Sequence, residues 1–182
     1  MYIIYHIYTK KATGKCVHKE KTCKKRTKNC PGFEHSQLLY SAGEIGARES
    51  RMIDGEYQLT ETDLRDCVKF DDAIAAGNYD IDIHNPEGTG TSHYYFPAGT
   101  WYTIPYRSLL PKKAANLLVA GRCISSTHEA QASYRVMPIV TTLGQVAGTA
   151  AAVAVKAGVG VKEIDVKALQ EILVRNGAFI GI

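Results

Sequence analysis

The chain has 182 residues, 45% of them hydrophobic, enough to bury one core of ordinary size but too short for two full domains. Its formal net charge of +4 is local: nine of the twenty-two Lys and Arg residues lie between Lys10 and Lys28, where Glu20 is the only acid, whereas beyond Cys30 thirteen bases face seventeen acids, a balance of −4. That distribution gives no support to a nucleic-acid surface on the body of the chain, and five cysteines are too few, and odd in number, for a disulfide scaffold.

Residues 1–28 pass from a tyrosine and isoleucine cluster to a lysine-rich stretch with no period of 2 or 3.6, and are expected to be a poorly ordered basic segment. Its lysines follow the apolar run, where an export signal would carry them before it. Cys16, Cys23 and Cys30 recur every seven residues with His18 and His35 nearby. Structural zinc motifs pair ligands two to four residues apart, so no metal is expected. The lysines lack interleaved aromatics, so no nucleic-acid partner is expected either. Residues 37–45 hold a short apolar stretch that suits a strand, followed by a polar loop over 46–51.

Thr60 can cap the amide of Asp63, and the acids at 61 and 63 suit the positive end of a helix dipole, so a helix is expected to start there. Leu64, Cys67, Val68 and Ile74 fall near one face, with Gly77 and Asn78 as the stop. Strict alternation over 79–84 predicts a strand ending at His84, before Asn85 and Pro86. The aromatic and β-branched runs 94–96 and 101–106, joined through Pro97, Ala98 and Gly99, predict a hairpin. Residues 116–120 form a continuous apolar run that predicts a strand buried on both faces, ended by Gly121. Residues 141–156 predict a helix with a stripe of small residues. The last helix is expected to start at Asp165, to place Ala168, Leu169, Ile172 and Leu173 on one face, and to stop at Asn176 and Gly177. The longest small or apolar run, 146–155, has about half the length a membrane span needs. No membrane partner is expected, and the cysteine usage fits a cytoplasmic protein.

The order of elements from 116 to 155 carries the chemistry: strand, Ala120-Gly121-Arg122, a polar loop with Ser125, Ser126, His128 and Glu129, then Arg135-Val136-Met137-Pro138 opening a glycine-alanine helix. A helix start leaves amides unsatisfied and bears partial positive charge, which suits a phosphate or the electron-rich edge of a ring. Gly144 and Gly148 share a face that a cofactor or a neighbouring strand could approach closely. An ordinary strand and helix of an α/β core fit the same pattern.

These motifs, together with those around Gly46, Gly55, Phe70, Ile81 and Ile104, occur in the order found in FAD-dependent oxidoreductases of the FAD/NAD(P)-binding superfamily, and the chain resembles their C-terminal part from about Asn29 onward. The resemblance implies an α/β fold: a partial FAD/NAD(P)-binding domain, its C-terminal strand and helices, in 116–182, with a β-rich, substrate-side α+β region in 29–115. It implies FAD as cofactor, with Ala120, Gly121 and Arg122 along the ribityl and pyrophosphate portion. Arg135, Val136, Met137, Gly144, Gln145 and Gly148 would line the rest of the site.

Such domains begin with a strand, a Gly-x-Gly-x-x-Gly turn and a helix. Here Gly88 and Gly90 supply two glycines, but His93 stands at the third position and no helical pattern follows; Gly158 and Gly160 fail in the same way. The expected partners are therefore a small-molecule substrate and a separate or missing N-terminal FAD-binding half. A truncated, non-catalytic remnant is the alternative. For hydride transfer between substrate and flavin, the candidate proton-transfer and cationic groups are His84, Arg48, Arg107 and His128, with Arg51 and Tyr106 beside them. A lone histidine such as His84 can equally be a hydrogen-bonded surface group, and Arg48 and Arg51 a clamp on Glu49, Glu44 or Glu56.

Overall fold

A computed structural model describes residues 48–84 and 91–182, without the side chains of His84 and Thr91. The basic segment, its three cysteines, the stretch 37–45 and the glycines at 88 and 90 lie outside the described residues.

Helix α1 (Glu61–Arg65) begins where its cap predicts: Thr60 Oγ1 accepts from Asp63 N at 3.2 Å, and Asp63 Oδ2 accepts from Thr60 N at 2.8 Å. It ends much earlier than the apolar spacing suggested. Cys67 adopts φ 51°, left-handed backbone that a continuing helix cannot contain. Ile74 consequently belongs to strand β1 (Ala73–Gly77), not to the helix, and Ala73, Ile74 and Ala75 are all buried.

The hairpin expectation is also corrected. Strand β2 (Ile81–His84) pairs antiparallel with β3 (Thr91–Tyr94), while β4 (Tyr102–Pro105) pairs antiparallel with β1, so the two aromatic runs join different sheets. All four residues of β4 are buried, which the outer arm of a free hairpin could not achieve. Between the sheets the aromatics meet ring to ring instead of by a ladder: Tyr94 edge-on to Phe96 at 5.2 Å and Phe96 tilted on Tyr102 at 5.4 Å between ring centroids.

Residues 116–120 do not form the buried strand. Among the described residues no strand pairs with them; Val119 N donates to Leu109 O at 2.9 Å, and Leu118 and Ala120 pack partly on the core. Leu117 stays 49% exposed. The run is apolar because one side of an extended segment rests on the core.

A one-turn 3₁₀ helix, Tyr106–Leu109, follows β4, and helix α2 (His128–Tyr134) is capped by Thr127 and almost wholly buried. Helix α3 (Met137–Ala157) buries Ile139, Leu143, Val146, Ala150 and Ala154 and stops at Gly158, φ 67°. At 21 residues it extends beyond both the helix 141–156 and the apolar run 146–155 read from sequence, and among the described residues it is one helix long and apolar enough, by length and composition, to cross a membrane. Its core-facing stripe packs against β1: a Cβ on Gly77 would lie 2.5 Å from Ile139 Cδ1 and 2.8 Å from Tyr102 Oη, so a larger residue there would have to displace those side-chain ends. Helix α4 (Val166–Arg175) starts at Asp165 as expected, and the side chain of its buried Gln170 donates to Ala73 O at 2.8 Å, anchoring it to β1. The helices and small antiparallel sheets make a mixed α/β architecture compatible with part of an FAD-oxidoreductase domain.

Four tyrosines tie this core to a pH dependence. Burial pushes the Tyr57 and Tyr106 hydroxyls up from 10.0 to about 12, and those of Tyr102 and Tyr134 higher still. The folded state therefore holds these protons more tightly than the unfolded chain. Their stabilisation is fully present below pH 10 and is lost as pH rises through 12. Urea midpoints measured across that window should fall steeply; a flat profile would contradict the buried placement.

Candidate functional site

Three segments distant in sequence meet along α2. Loop 48–51 is held to the helix twice: Gln131 Nε2 donates to Arg48 O at 2.9 Å, and His128 Nδ1 pairs with the Glu49 carboxylate. The turn at Gly121, φ 102°, follows the extended segment, and from it Arg122 Nε donates to Arg135 O at 3.2 Å, just ahead of α3. Tyr134 fixes the same turn from inside. Its hydroxyl donates to Arg122 O at 3.2 Å and lies 2.9 Å from Ser126 Oγ, and burial raises its pKa.

These segments enclose a half-open cavity of about 160 Å³ lined by Arg48, Glu49, Ser50, Arg51, Arg122 and Cys123. Pockets that hold a cofactor or drug-sized ligand occupy about 300–1,000 Å³, so this one cannot enclose a flavin.

The start of α3 is open. Its N-cap, Val136, offers no side-chain hydrogen bond, the first intrahelical bond is Val140 N to Val136 O, and Met137 is 75% exposed. The amides of Met137 and Ile139 thus precede the helical ladder, at the positive end of a 21-residue dipole. Gly144, Gln145 and Gly148 are exposed on α3, and a Cβ built on Gly121, Gly144 or Gly148 would meet nothing within 4 Å. These residues fit one wall of a site for a flat, electron-rich group; among the described residues nothing forms the facing wall.

Other sequence candidates have protein partners. Arg135, its side chain 12% exposed, donates to Asp82 O at 3.0 Å and holds β2. Arg107 makes a two-pronged pair with Asp72, Nε to Oδ2 at 2.9 Å and Nη2 to Oδ1 at 3.1 Å, which raises its pKa, and it lies over the Tyr57 ring. Tyr106 is buried and donates to Val161 O at 2.9 Å. His84 closes β2 in register with Thr91. Of the residues proposed for proton transfer or charge, Arg48 and His128 come together here, through Gln131 on Arg48 O and Glu49 on His128, with Arg51 in the same loop as Arg48. The parts that sequence reasoning missed, Gln131 and Tyr134, left no local signal, because each acts on a carbonyl or hydroxyl elsewhere in the chain.

The sequence model of a family described as FAD dependent oxidoreductase matches residues 8–173, and the chain belongs to that family. The match starts well ahead of Asn29 and takes in most of the lysine-rich segment. Comparison with curated proteins and with solved structures finds no match.

Proposed function

We propose that the chain contributes one wall of a flavin site in an enzyme that moves hydride between a small organic substrate and FAD. The observation that carries this is the uncapped, exposed start of α3 beside the Gly121 turn, in a member of an FAD-dependent family. Ala120, Gly121 and Arg122 would follow the ribityl and pyrophosphate portion, and Val136, Met137, Gly144, Gln145 and Gly148 would border the ring. Bound FAD supplies the hydride acceptor or donor; these residues orient it and exclude water from one side. Arg135 contributes through position, since its guanidinium is bonded to β2 and its carbonyl to Arg122.

A glycine-rich strand-turn-helix, supplied by another segment or polypeptide, would complete the pyrophosphate site, and the small cavity and the exposed glycine face of α3 support that view. The free thiols of Cys67 and Cys123 support a cytoplasmic location. The test is flavin retention: FAD is added to the purified chain, alone and with a dinucleotide-binding half encoded next to it, and unbound flavin is removed. A yellow protein that releases flavin on denaturation is expected from the completed assembly. Colourless protein under both conditions would favour the non-catalytic remnant.

A further inference from the structure

Two side chains on one face of α2 hold two adjacent residues of the loop 48–51. His128 and Gln131 lie three positions apart, so they are neighbours on the helix surface. Gln131, fully buried, donates from Nε2 to Arg48 O at 2.9 Å, and the next residue, Glu49, brings its carboxylate to His128 Nδ1. The main chain that carries Glu49 is thus anchored to the helix that carries the imidazole, and Thr127 caps that helix one residue ahead of His128. A carboxylate accepts and has no proton to give, so the neutral imidazole beside it must donate from Nδ1, which leaves the lone pair on Nε2. Among the described residues Nε2 makes no hydrogen bond, and the His128 side chain is 52% exposed. Holding the loop uses one ring nitrogen; the other is left accessible as a proton acceptor.

We infer that His128 and Glu49 form a proton-accepting dyad, His128 as the catalytic residue through Nε2 and Glu49 as the residue that positions it, for a substrate oxidised at a carbon bearing a hydroxyl or amino group. The inference rests on the proposed flavin reaction, which removes hydride from carbon and leaves the substrate's O–H or N–H proton to be taken up elsewhere. In that step the O–H or N–H bond breaks and an Nε2–H bond forms; the electron pair stays on the heteroatom and becomes the second bond to carbon as hydride leaves for FAD. The imidazolium so formed carries a positive charge that the Glu49 carboxylate stabilises, and the reverse step returns the proton in a reduction. Glu49 lines the half-open cavity beside the Gly121 turn, and the seven residues of α2 set His128 roughly 10 Å of helix from the residues that open α3.

The experiment is nitrogen NMR of the full chain carrying isotope-labelled histidine, on wild type and Glu49→Ala, at about pH 8.5, roughly two units above the ordinary histidine pKa. The signal that is lost in His128→Gln assigns the residue. Wild-type His128 is expected in the Nδ1–H form, and Glu49→Ala to shift the ratio of the two neutral forms by about tenfold, the effect of losing a hydrogen bond to a charged group. Acylation of His128 by diethyl pyrocarbonate, which needs an unprotonated ring nitrogen, is followed by peptide mapping and should be severalfold slower in Glu49→Ala. Melting temperature checks that the variant folds; if it does not, the wild-type spectrum decides. An Nε2–H form in wild type, an imidazolium that persists at that pH, or equal acylation rates in the two folded proteins would overturn the inference and reduce His128 to a clamp on the loop. Neither measurement needs FAD, so the dyad and the flavin site can fail separately.

Discussion

Gly144→Trp should cut FAD affinity by about 5- to 150-fold while leaving the fold intact. Position 144 faces open space in the chain itself, and α3 buries its opposite face through Leu143 and Val146, so an indole there disturbs no core contact. Against a flavin ring packed on that face, the same indole is an overpacking substitution, which costs about 1–3 kcal/mol and converts to that range of affinity. Gly144→Ala supplies the control. Glycine inside a helix is about 0.5–1 kcal/mol less favourable than alanine, so the alanine variant should melt higher. Equal flavin retention in wild type and Gly144→Trp, with both proteins folded, would remove Gly144 from the site.

The second large effect is expected at Tyr134. Its ring is fully buried in the core, and its hydroxyl ties Ser126 to the carbonyl of Arg122, so one side chain both fills volume and holds the Gly121 turn. Tyr134→Ala should destabilise the chain by about 3–5 kcal/mol in urea unfolding, the range for deleting a buried aromatic. Tyr134→Phe keeps the volume and strips only the hydroxyl, leaving a buried carbonyl and Ser126 less well satisfied, at about 1–3 kcal/mol. A phenylalanine variant as unstable as the alanine one would mean that the hydroxyl network, rather than packing, dominates at this position.

What the sequence made legible was local. The Thr60 and Asp63 capping box, the Asp165 cap, the Gly177 stop and the core stripe of α3 each depend on residues within about one or two helical turns, so their signals are written side by side. The sheets were not legible in this way. Gly77 meets Tyr102 and Ala75 meets Ile104 across a long intervening chain, and no spacing rule announces such partners. The helix expected to run from Thr60 to Ile74 fails at Cys67, whose left-handed backbone leaves no trace in a hydrophobic pattern. Residues 116–120 misled because continuous apolarity marks contact with the core, and a segment lying flat on that core satisfies it as well as a central strand does. At the site, Arg48 and His128 were identifiable as polar residues in loops. Their meeting through Gln131 and Glu49 joins positions about eighty apart and belongs to the tertiary fold alone.

Amide hydrogen exchange with and without FAD, on the chain alone and with a candidate dinucleotide-binding half added, tests the flavin wall most directly. Met137 and Ile139 lie ahead of the hydrogen-bond ladder of α3, and Val136 gives them no side-chain cap, so without cofactor these amides should exchange fast. FAD should slow exchange at the start of α3 and at Gly121 and Arg122, and leave α4 unchanged. Full flavin occupancy with exchange at those amides unaltered would show that the cofactor lies elsewhere.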